Sequence, residues 1–165
     1  MRVNQICRIR LDEQSVIRRS PEIEAERRVA IADLQESNVF EPLIPLAHEP
    51  DGPVGLRLMI EDDRLGFLIE DQSGAALGRF SISLKPFRRL VKEYFLICES
   101  YFAALRSPEP ERLQAIDMGR RGVHDEGARL LKARLEGLAR IDMSTARRLF
   151  TLLSILHLRP NTLKA

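Results

Sequence analysis

Residues that commonly build metal, redox and disulfide sites are scarce in this 165-residue sequence. It contains no tryptophan, two cysteines and three histidines. Cys7 and Cys98 lie far apart in the chain and form no CxxC motif, so the sequence indicates neither a redox pair nor half of a zinc site. The histidines are isolated and form no HExxH motif. We therefore expect no metal and no cofactor.

Long apolar runs are also absent. No run is longer than that of residues 94–98, which is far shorter than the roughly 20 residues that a membrane-spanning helix needs. Residues 1–11 place arginines among the apolar positions and so lack the apolar centre of a secretory signal. These features predict a cytoplasmic protein that does not bind a membrane.

The glycine patterns of common nucleotide-binding and hydrolase sites are missing too. The sequence has neither GxxxxGK[ST] nor GxGxxG, and no serine lies in a GxSxG elbow. We therefore favour a non-enzymatic protein, with a small enzyme as the alternative.

Charged residues, in contrast, are numerous and unevenly distributed. The chain has 26 basic and 24 acidic residues, a net charge of +2, and 22 of the basic residues are arginines. Residues 1–82 contain 10 basic and 15 acidic residues, giving −5, whereas residues 83–165 contain 16 and 9, giving +7. This asymmetry indicates either an anion-binding surface or salt bridges between the two halves of the chain.

Alternation of apolar and polar residues predicts four β-strands in the first half of the chain. One covers residues 7–11, where apolar residues alternate with Arg8 and Arg10. Three more lie within residues 56–84 and are joined by short polar turns, as in an antiparallel meander. Residues 39–54 contain four prolines and predict a long irregular connection, which either packs its Leu and Ile side chains on the surface or forms a partner-binding arm.

Helical periodicity predicts about five helices. We place them at residues 20–37, 86–106, 107–119, 123–138 and 142–157, with Ser20, Ser107 and Asp142 as N-caps and Gly119 as a C-cap. The second helix is apolar nearly all round in its second half, which predicts that it is central in the fold or forms half of a homodimer interface.

These elements together predict a single α+β domain over residues 1–165. A small antiparallel sheet, made of the N-terminal strand and the meander, packs against the helices. Residues 1–84 form a strand-rich part with one helix, residues 85–158 a helical part, and residues 159–165 a loose tail.

The segment around residues 116–127 combines glycines with arginines. Gly119 and Gly122 bracket Arg120 and Arg121 between two predicted helices, and glycine backbone next to a helix start can hold an anion. Arginine suits such a site because its planar fork pairs with phosphate or carboxylate. The alternative is a tight turn, capped by Gly119, whose arginines are solvated.

Three arginine pairs lie near predicted helix starts in the basic half, where a cation is unfavourable unless an anion or a carboxylate is close. We therefore predict a non-enzymatic protein that binds a polyanion, either RNA or an acidic protein surface. The predicted contacts are Arg88, Arg89, Lys92, Gly119, Arg120, Arg121, Gly122, Arg147 and Arg148. The alternative for the same arginines is internal pairing with the acidic half.

The enzyme alternative uses residues 119–126 to bind a phosphorylated or carboxylated metabolite. His124 would serve as the general acid or base, supported by Asp117 or Glu99. Glu99 interrupts an apolar helix, so we expect it either to pair with an arginine in the interior or to act as a buried acid in the site.

Three segments resemble one bacterial protein family. Residues 86–101, 115–122 and 145–150 are similar to the uncharacterised protein family UPF0262, and the similarity extends from the N-terminal strand to about His157. Residues 43–53 and the tail after Leu158 match least well. The resemblance implies a bacterial cytoplasmic protein of this size and carries no catalytic role.

Overall fold

The computed structural model describes residues 5–12, 20–106 and 109–157. A four-stranded sheet and a two-stranded sheet combine with four α-helices in this part of the chain. The elements in chain order are β1 (Ile6–Asp12), α1 (Pro21–Glu36), β2 (Phe40–Pro42), β3 (Val54–Glu61), β4 (Arg64–Glu70), β5 (Ala76–Ser83), a 3₁₀ turn (Lys85–Phe87), α2 (Arg88–Arg106), α3 (Pro110–Arg134), β6 (Ala139–Ile141) and α4 (Met143–His157). The predicted α+β class is confirmed.

The larger sheet has the order β1-β3-β4-β5. Its meander is antiparallel as predicted, with β3 pairing with β4 and β4 with β5. The expectation that β1 is also antiparallel is wrong, because β1 runs parallel to β3. A parallel pair needs a long crossover, and the segment that contains α1 and the proline-rich residues supplies it.

The first helix begins and ends at the predicted positions. The Ser20 hydroxyl accepts a hydrogen bond from the Ile23 amide at 3.2 Å, and Pro21 fills the first turn, where its missing N–H costs nothing. Beyond the helix, the Asn38 carboxamide pairs with both backbone groups of Ile6, at 2.7 and 2.8 Å. Asn38 therefore joins the end of α1 to the start of the sheet.

The prediction of two helices separated by a Gly119–Gly122 turn is wrong. Residues 110–134 form one continuous helix, α3, in which both glycines are interior positions. Glycine in a helix costs about 1 kcal/mol relative to alanine, a cost that tertiary contacts readily exceed. Packing of α3 against α2 and α4 fixes this helix. The predicted Ser107–Pro108 cap and the predicted tail at residues 159–165 lie outside the described residues.

The most buried helix is α4, whereas the sequence had indicated residues 86–106. Asp142 accepts a hydrogen bond from the Thr145 amide at 2.8 Å, which confirms the predicted cap. Ten of the fifteen residues of α4 are buried, and α2 buries one face only. Helix α3 approaches α4 closely at Gly127, where a Cβ atom would lie 2.4 Å from the Phe150 ring.

The proline-rich segment crosses the surface and packs there, as one of the two interpretations predicted. Its first residues form β2, which pairs with β6, two short strands that the sequence pattern did not predict. Further along, the Ala47 amide donates to the Leu77 carbonyl at 2.8 Å. Ile44 and Leu46 lie directly over Gly78 of β5. This edge of the sheet is therefore covered by the chain itself.

Candidate functional site

The arginines at the start of α2 form ion pairs. Arg88 donates to the Asp63 carboxylate at 2.7 Å. Arg89 donates to Glu93, one turn along the same helix, at 2.8 Å, and to Glu126 of α3 at 2.9 Å. Both guanidinium groups thus have carboxylate partners within the protein.

Arg120 and Arg121 lie in the interior of α3 and share Asp117. Arg120 donates to Glu26 of α1 at 3.0 Å and to Asp117 at 3.3 Å, and its guanidinium group stacks 4.3 Å above the Tyr101 ring. The distance from Arg121 to Asp117 is 3.1 Å. Gly119 and Gly122 lie between helical residues, so they form neither a loop nor a helix start that could hold an anion.

The third pair, on α4, is also paired with acids. Arg147 donates to Asp125 at 2.7 Å, and its interaction holds the pKa of that carboxyl below its usual value. Arg148 lies 3.4 Å from Asp33 and donates to the Ser144 carbonyl at 2.9 Å. Lys92 alone in the predicted set is a side chain without an ion pair in the described part of the chain.

Many of these ion pairs connect the acidic half of the sequence with the basic half. The cross-half pairs are Glu22–Arg106, Glu26–Arg120, Asp33–Arg148, Glu41–Arg140 and Asp63–Arg88. Five ion pairs therefore join the two halves of the chain, as the alternative of internal pairing had proposed.

His124 packs in the interior between aromatic rings. Its ring is stacked on Tyr94, with 5.5 Å between centroids, and lies edge-on to Phe150. Its Nε2 atom is 2.6 Å from the Thr151 hydroxyl, which itself donates to the Arg147 carbonyl at 3.2 Å. The donor in the contact between His124 and Thr151 depends on the tautomer of the imidazole.

Burial lowers the pKa of His124 to about 4, and the nearby Arg120 acts in the same direction. The imidazole is therefore neutral at pH 7. Glu99, expected to be paired in the interior, lies on the exposed face of α2, because the buried stripe of that helix passes through Tyr94 and Cys98 instead. Asp117 is engaged by two arginines. The structure therefore does not combine His124, Asp117 and Glu99 into one acid–base site.

Helix α2 carries one strongly exposed apolar side chain in its middle. Leu96 is 55% exposed, but the same face of the helix also presents Lys92, Glu99 and Ser100. Leu105, nine residues further on, points to the opposite side. This helix therefore offers no continuous apolar stripe for the predicted homodimer, which stays a prediction.

The face of the larger sheet that lies opposite the core carries a different set of arginines. Along β3 and β4, residues such as Leu58 and Phe67 are buried, while the alternate residues point away from the core. The outward charged residues are the arginines Arg8, Arg10, Arg57, Arg64 and Arg79 and the carboxylates Asp12, Glu61 and Glu70. We call the five arginines the sheet-face arginines.

Three of them form one row across the sheet. Arg10 of β1 pairs in register with Arg57 of β3. Arg57 also pairs with Leu68 of β4, and Leu68 pairs in turn with Arg79 of β5. Side chains that are partners on neighbouring strands lie about 5 Å apart at their Cβ atoms, and like charges in this position repel. The row therefore concentrates positive charge on the outer face.

A buried carboxylate lies beside this row. Glu70 is only 4% exposed and lies 3.7 Å from Arg8 and 3.6 Å from Arg57, too far for a normal hydrogen bond. Gly55, between Arg8 and Glu70 in the sheet, leaves room for this arrangement, since a Cβ atom there would lie 2.5 Å from the Arg8 guanidinium group. The negative charge of Glu70 thus partly neutralises the positive charges of both Arg8 and Arg57.

Arg10 and Arg57 lack the close carboxylate partner that each arginine of the predicted set on the helices has. Neither of their guanidinium groups donates a hydrogen bond to any residue in the described ranges, and Arg10 has no ion pair there either. Arg79 and Arg64 differ, because Arg79 donates to Glu61 at 3.0 Å and Arg64 donates to Ser81 at 2.8 Å. The N–H donors of Arg10 and Arg57 are therefore free to bind an external anion.

Sequence reasoning missed this surface because it compared the net charges of the two halves. The sheet-face arginines belong to the acidic half, but acids of that half such as Glu26, Asp33 and Asp63 point to helical arginines instead. The sequence did show arginines at the polar positions of the alternating pattern in the predicted strands. The surface that they form becomes visible only when the strands are placed in register.

A cleft at one end of the sheet contains a second histidine. His48 lies 3.8 Å from the Asp71 carboxylate, in a hollow of about 240 Å³ next to the turn between β4 and β5. One oxygen of Asp71 accepts hydrogen bonds from the Ser73 hydroxyl and from the Ser73 and Ala75 amides, which lowers the pKa of this carboxyl. Asp71 thus has a structural role in the turn.

None of the described helices is both long enough and apolar enough to cross a membrane. In the same residues, no group of three or more His, Cys, Asp or Glu side chains could hold a metal ion.

The fold and its surfaces define an α+β protein with a mixed sheet, one face of which packs on helices while the other carries arginine. Comparison with known proteins then shows its family. The sequence model of the uncharacterised protein family UPF0262 matches residues 3–159, and the chain belongs to this family. The resemblance noted in the sequence is confirmed.

The relatives are bacterial proteins of similar length. The chain is 51% identical over 154 residues to the UPF0262 protein of Rhodopseudomonas palustris strain BisB5, which covers 93% of this chain and 92% of the relative. It is 52% identical over 157 residues to a UPF0262 protein of Cereibacter sphaeroides strain ATCC 17025, covering 94% and 99%. No solved structure gives a significant match.

Proposed function

We propose that the protein is a non-catalytic binding protein for an anionic partner, and that the sheet-face arginines make the main contacts. The observation that carries this proposal is the pair Arg10 and Arg57, which are partners on neighbouring strands and donate no hydrogen bond within the described residues. The partner is a polyanion, RNA or an acidic protein surface.

Binding of an anion relieves an unfavourable feature of the free protein. Like charges at partner positions destabilise a sheet by a few tenths of a kcal/mol to about 1 kcal/mol. A phosphate or carboxylate between Arg10 and Arg57 replaces this repulsion with charge-assisted hydrogen bonds, which are about twice as strong as neutral ones. The repulsion therefore favours the bound state over the free state.

The helical arginines of the predicted set contribute less in this proposal. An external anion at Arg88, Arg89 or Arg147 must displace a carboxylate that already lies 2.7 to 2.9 Å away. The net gain of such an exchange is small, because one anionic partner replaces another. Lys92 is exposed without such a partner and can add long-range attraction.

Retention on immobilised heparin tests the proposal. The wild-type protein should be retained at low salt, and the double variant R10Q/R57Q should elute at clearly lower salt. The matched control is R28Q/R112Q, which removes two exposed helical arginines and gives the same net charge. If the two double variants elute at the same salt concentration, the sheet face is not the binding surface and the proposal fails.

A further inference from the structure

The row of arginines also points to the shape of the partner. We infer that the sheet face binds single-stranded nucleic acid, with its phosphodiester backbone lying along the row Arg10–Arg57–Leu68–Arg79. This inference rests on the proposed function, and it adds the class of polyanion and its direction across the strands.

The length of the row suits a short stretch of one strand. The row crosses all four strands of the larger sheet. Three spacings of about 4.8 Å between neighbouring strands give a length of about 14 Å. A strand in a stacked duplex advances about 3.4 Å per nucleotide and an unstacked strand advances more, so this length accommodates at most about four nucleotides. A single small anion would leave most of the row unused.

Apolar side chains lie among the charges and favour a single strand over a duplex. Leu68 separates Arg57 from Arg79 in the row, and Met59 lies in the adjacent row of the same face. Both are half-buried, so part of each side chain remains accessible. Unstacked bases of a single strand can pack on these side chains, whereas a duplex encloses its base faces and presents phosphates and sugars.

The surface should show little preference for sequence. The aromatic residues of the sheet, Phe67 and Phe80, stack on each other at 4.7 Å on the core side. The outer face of the described strands therefore lacks the aromatic platforms on which bases stack in many single-strand-binding proteins. Backbone contacts from arginine carry no sequence information by themselves.

The acidic residues of the same face argue for a narrow ligand. Glu61 holds Arg79 at 3.0 Å, and Asp12 and Glu61 are both exposed. A broad anionic surface, such as a membrane, would bring negative charges against these carboxylates. A single chain of phosphates can follow Arg10 and Arg57 without contacting Asp12, and it meets Glu61 only at the Arg79 end of the row.

Fluorescence anisotropy with labelled oligothymidylates of 2, 4, 8 and 12 nucleotides tests the inference. Affinity should rise steeply up to about four nucleotides and then only in proportion to the number of binding registers. Each neutralised phosphate contributes about −0.7 to the slope of log K against log salt concentration for single strands. We expect a slope of about −2 for the wild type and about −0.7 for R10Q/R57Q, with R28Q/R112Q like the wild type.

Unlabelled competitors separate this inference from the proposed function. A 12-nucleotide single strand should compete at least tenfold better than a 12-base-pair duplex, a poly-glutamate peptide or vesicles rich in phosphatidylglycerol. If a competitor of another class binds best and still requires Arg10 and Arg57, the inference is wrong but the proposed function holds. If no polyanion distinguishes R10Q/R57Q from R28Q/R112Q, both are wrong.

Discussion

Arg10 and Arg57 are partners in the parallel register of β1 and β3, and neither donates a hydrogen bond to a residue in the described ranges. All six arginines of the predicted site, by contrast, contact a carboxylate within 3.5 Å. The fold thus pairs the arginines of the predicted site internally, whereas in the sheet Arg10 is unpaired among the described residues and Arg57 has only the longer contact with Glu70.

Reversing one charge of this pair should stabilise the protein while it weakens binding. Arg10→Glu replaces a repulsive cross-strand contact with an attractive one, so the free energy of unfolding should rise by a few tenths of a kcal/mol to about 1 kcal/mol. Urea denaturation measures this change, and heparin elution of the same variant measures binding. A variant that is less stable than the wild type would show that the two guanidinium groups do not repel each other.

Loss of a helical ion pair should lower stability and change binding little, the reverse of what we expect for Arg10→Glu. Arg88→Gln removes the contact with Asp63, and both side chains are about half exposed, so the cost in stability should be at most about 1 kcal/mol. Heparin elution of this variant should shift less than that of R10Q, which carries the same change in charge. A larger shift for R88Q would transfer the binding surface to the start of α2.

Two glycine substitutions in α3 distinguish a continuous helix from a helix–turn–helix. At Gly122 a Cβ atom meets nothing within 4 Å, so Gly122→Ala should stabilise the protein by about 0.4–1 kcal/mol. At Gly127 a Cβ atom would lie 2.4 Å from the Phe150 ring, so Gly127→Ala should destabilise by about 1–3 kcal/mol. Thermal or urea unfolding compares the two, and destabilisation by Gly122→Ala would contradict a helical Gly122.

The stability of the protein should depend on pH through His124. Its pKa is about 4 in the folded protein and about 6.5 in an unfolded chain. Between these values the unfolded state binds a proton that the folded state does not, so stability is complete above pH 6.5 and falls as the pH falls towards 4. The loss should reach about 3 kcal/mol at about 1.4 kcal/mol per pH unit.

The variant His124→Gln isolates this effect from that of the carboxylates. The groups that act on His124 include Arg120, Asp125 and Arg147, all of which the variant retains. The difference in unfolding free energy between the wild type and H124Q should be constant above pH 7. As the pH falls towards 4, the wild type should lose stability relative to H124Q. A difference that is independent of pH would show that His124 titrates normally.

Local signals in the sequence predicted the elements whose ends they determine. Ser20 with Pro21 and Asp142 mark the starts of α1 and α4, and alternation marks the strands of the meander. Gly119 and Gly122 led to the wrong prediction of a turn between two helices, because their preference for a turn is weaker than the packing of α3 on its neighbours.

The candidate surface required information that the sequence does not contain. Arg10 and Arg57 are 47 positions apart and become neighbours only because β1 pairs in parallel with β3. Ion pairs such as Glu26–Arg120 likewise join distant residues and decide which arginines remain available. Net charge by segment cannot reveal either fact, because it ignores which acids and bases meet in the fold.

The most direct test of the central claim is a titration of ¹⁵N-labelled protein with 12-nucleotide oligothymidylate, followed by the backbone amide and arginine Nε–H signals. The proposal predicts that the largest shifts occur on β1 and β3, with the Nε–H signals of Arg10 and Arg57 among them. Shifts confined to the arginines of α2, α3 and α4, with the sheet signals unchanged, would contradict it.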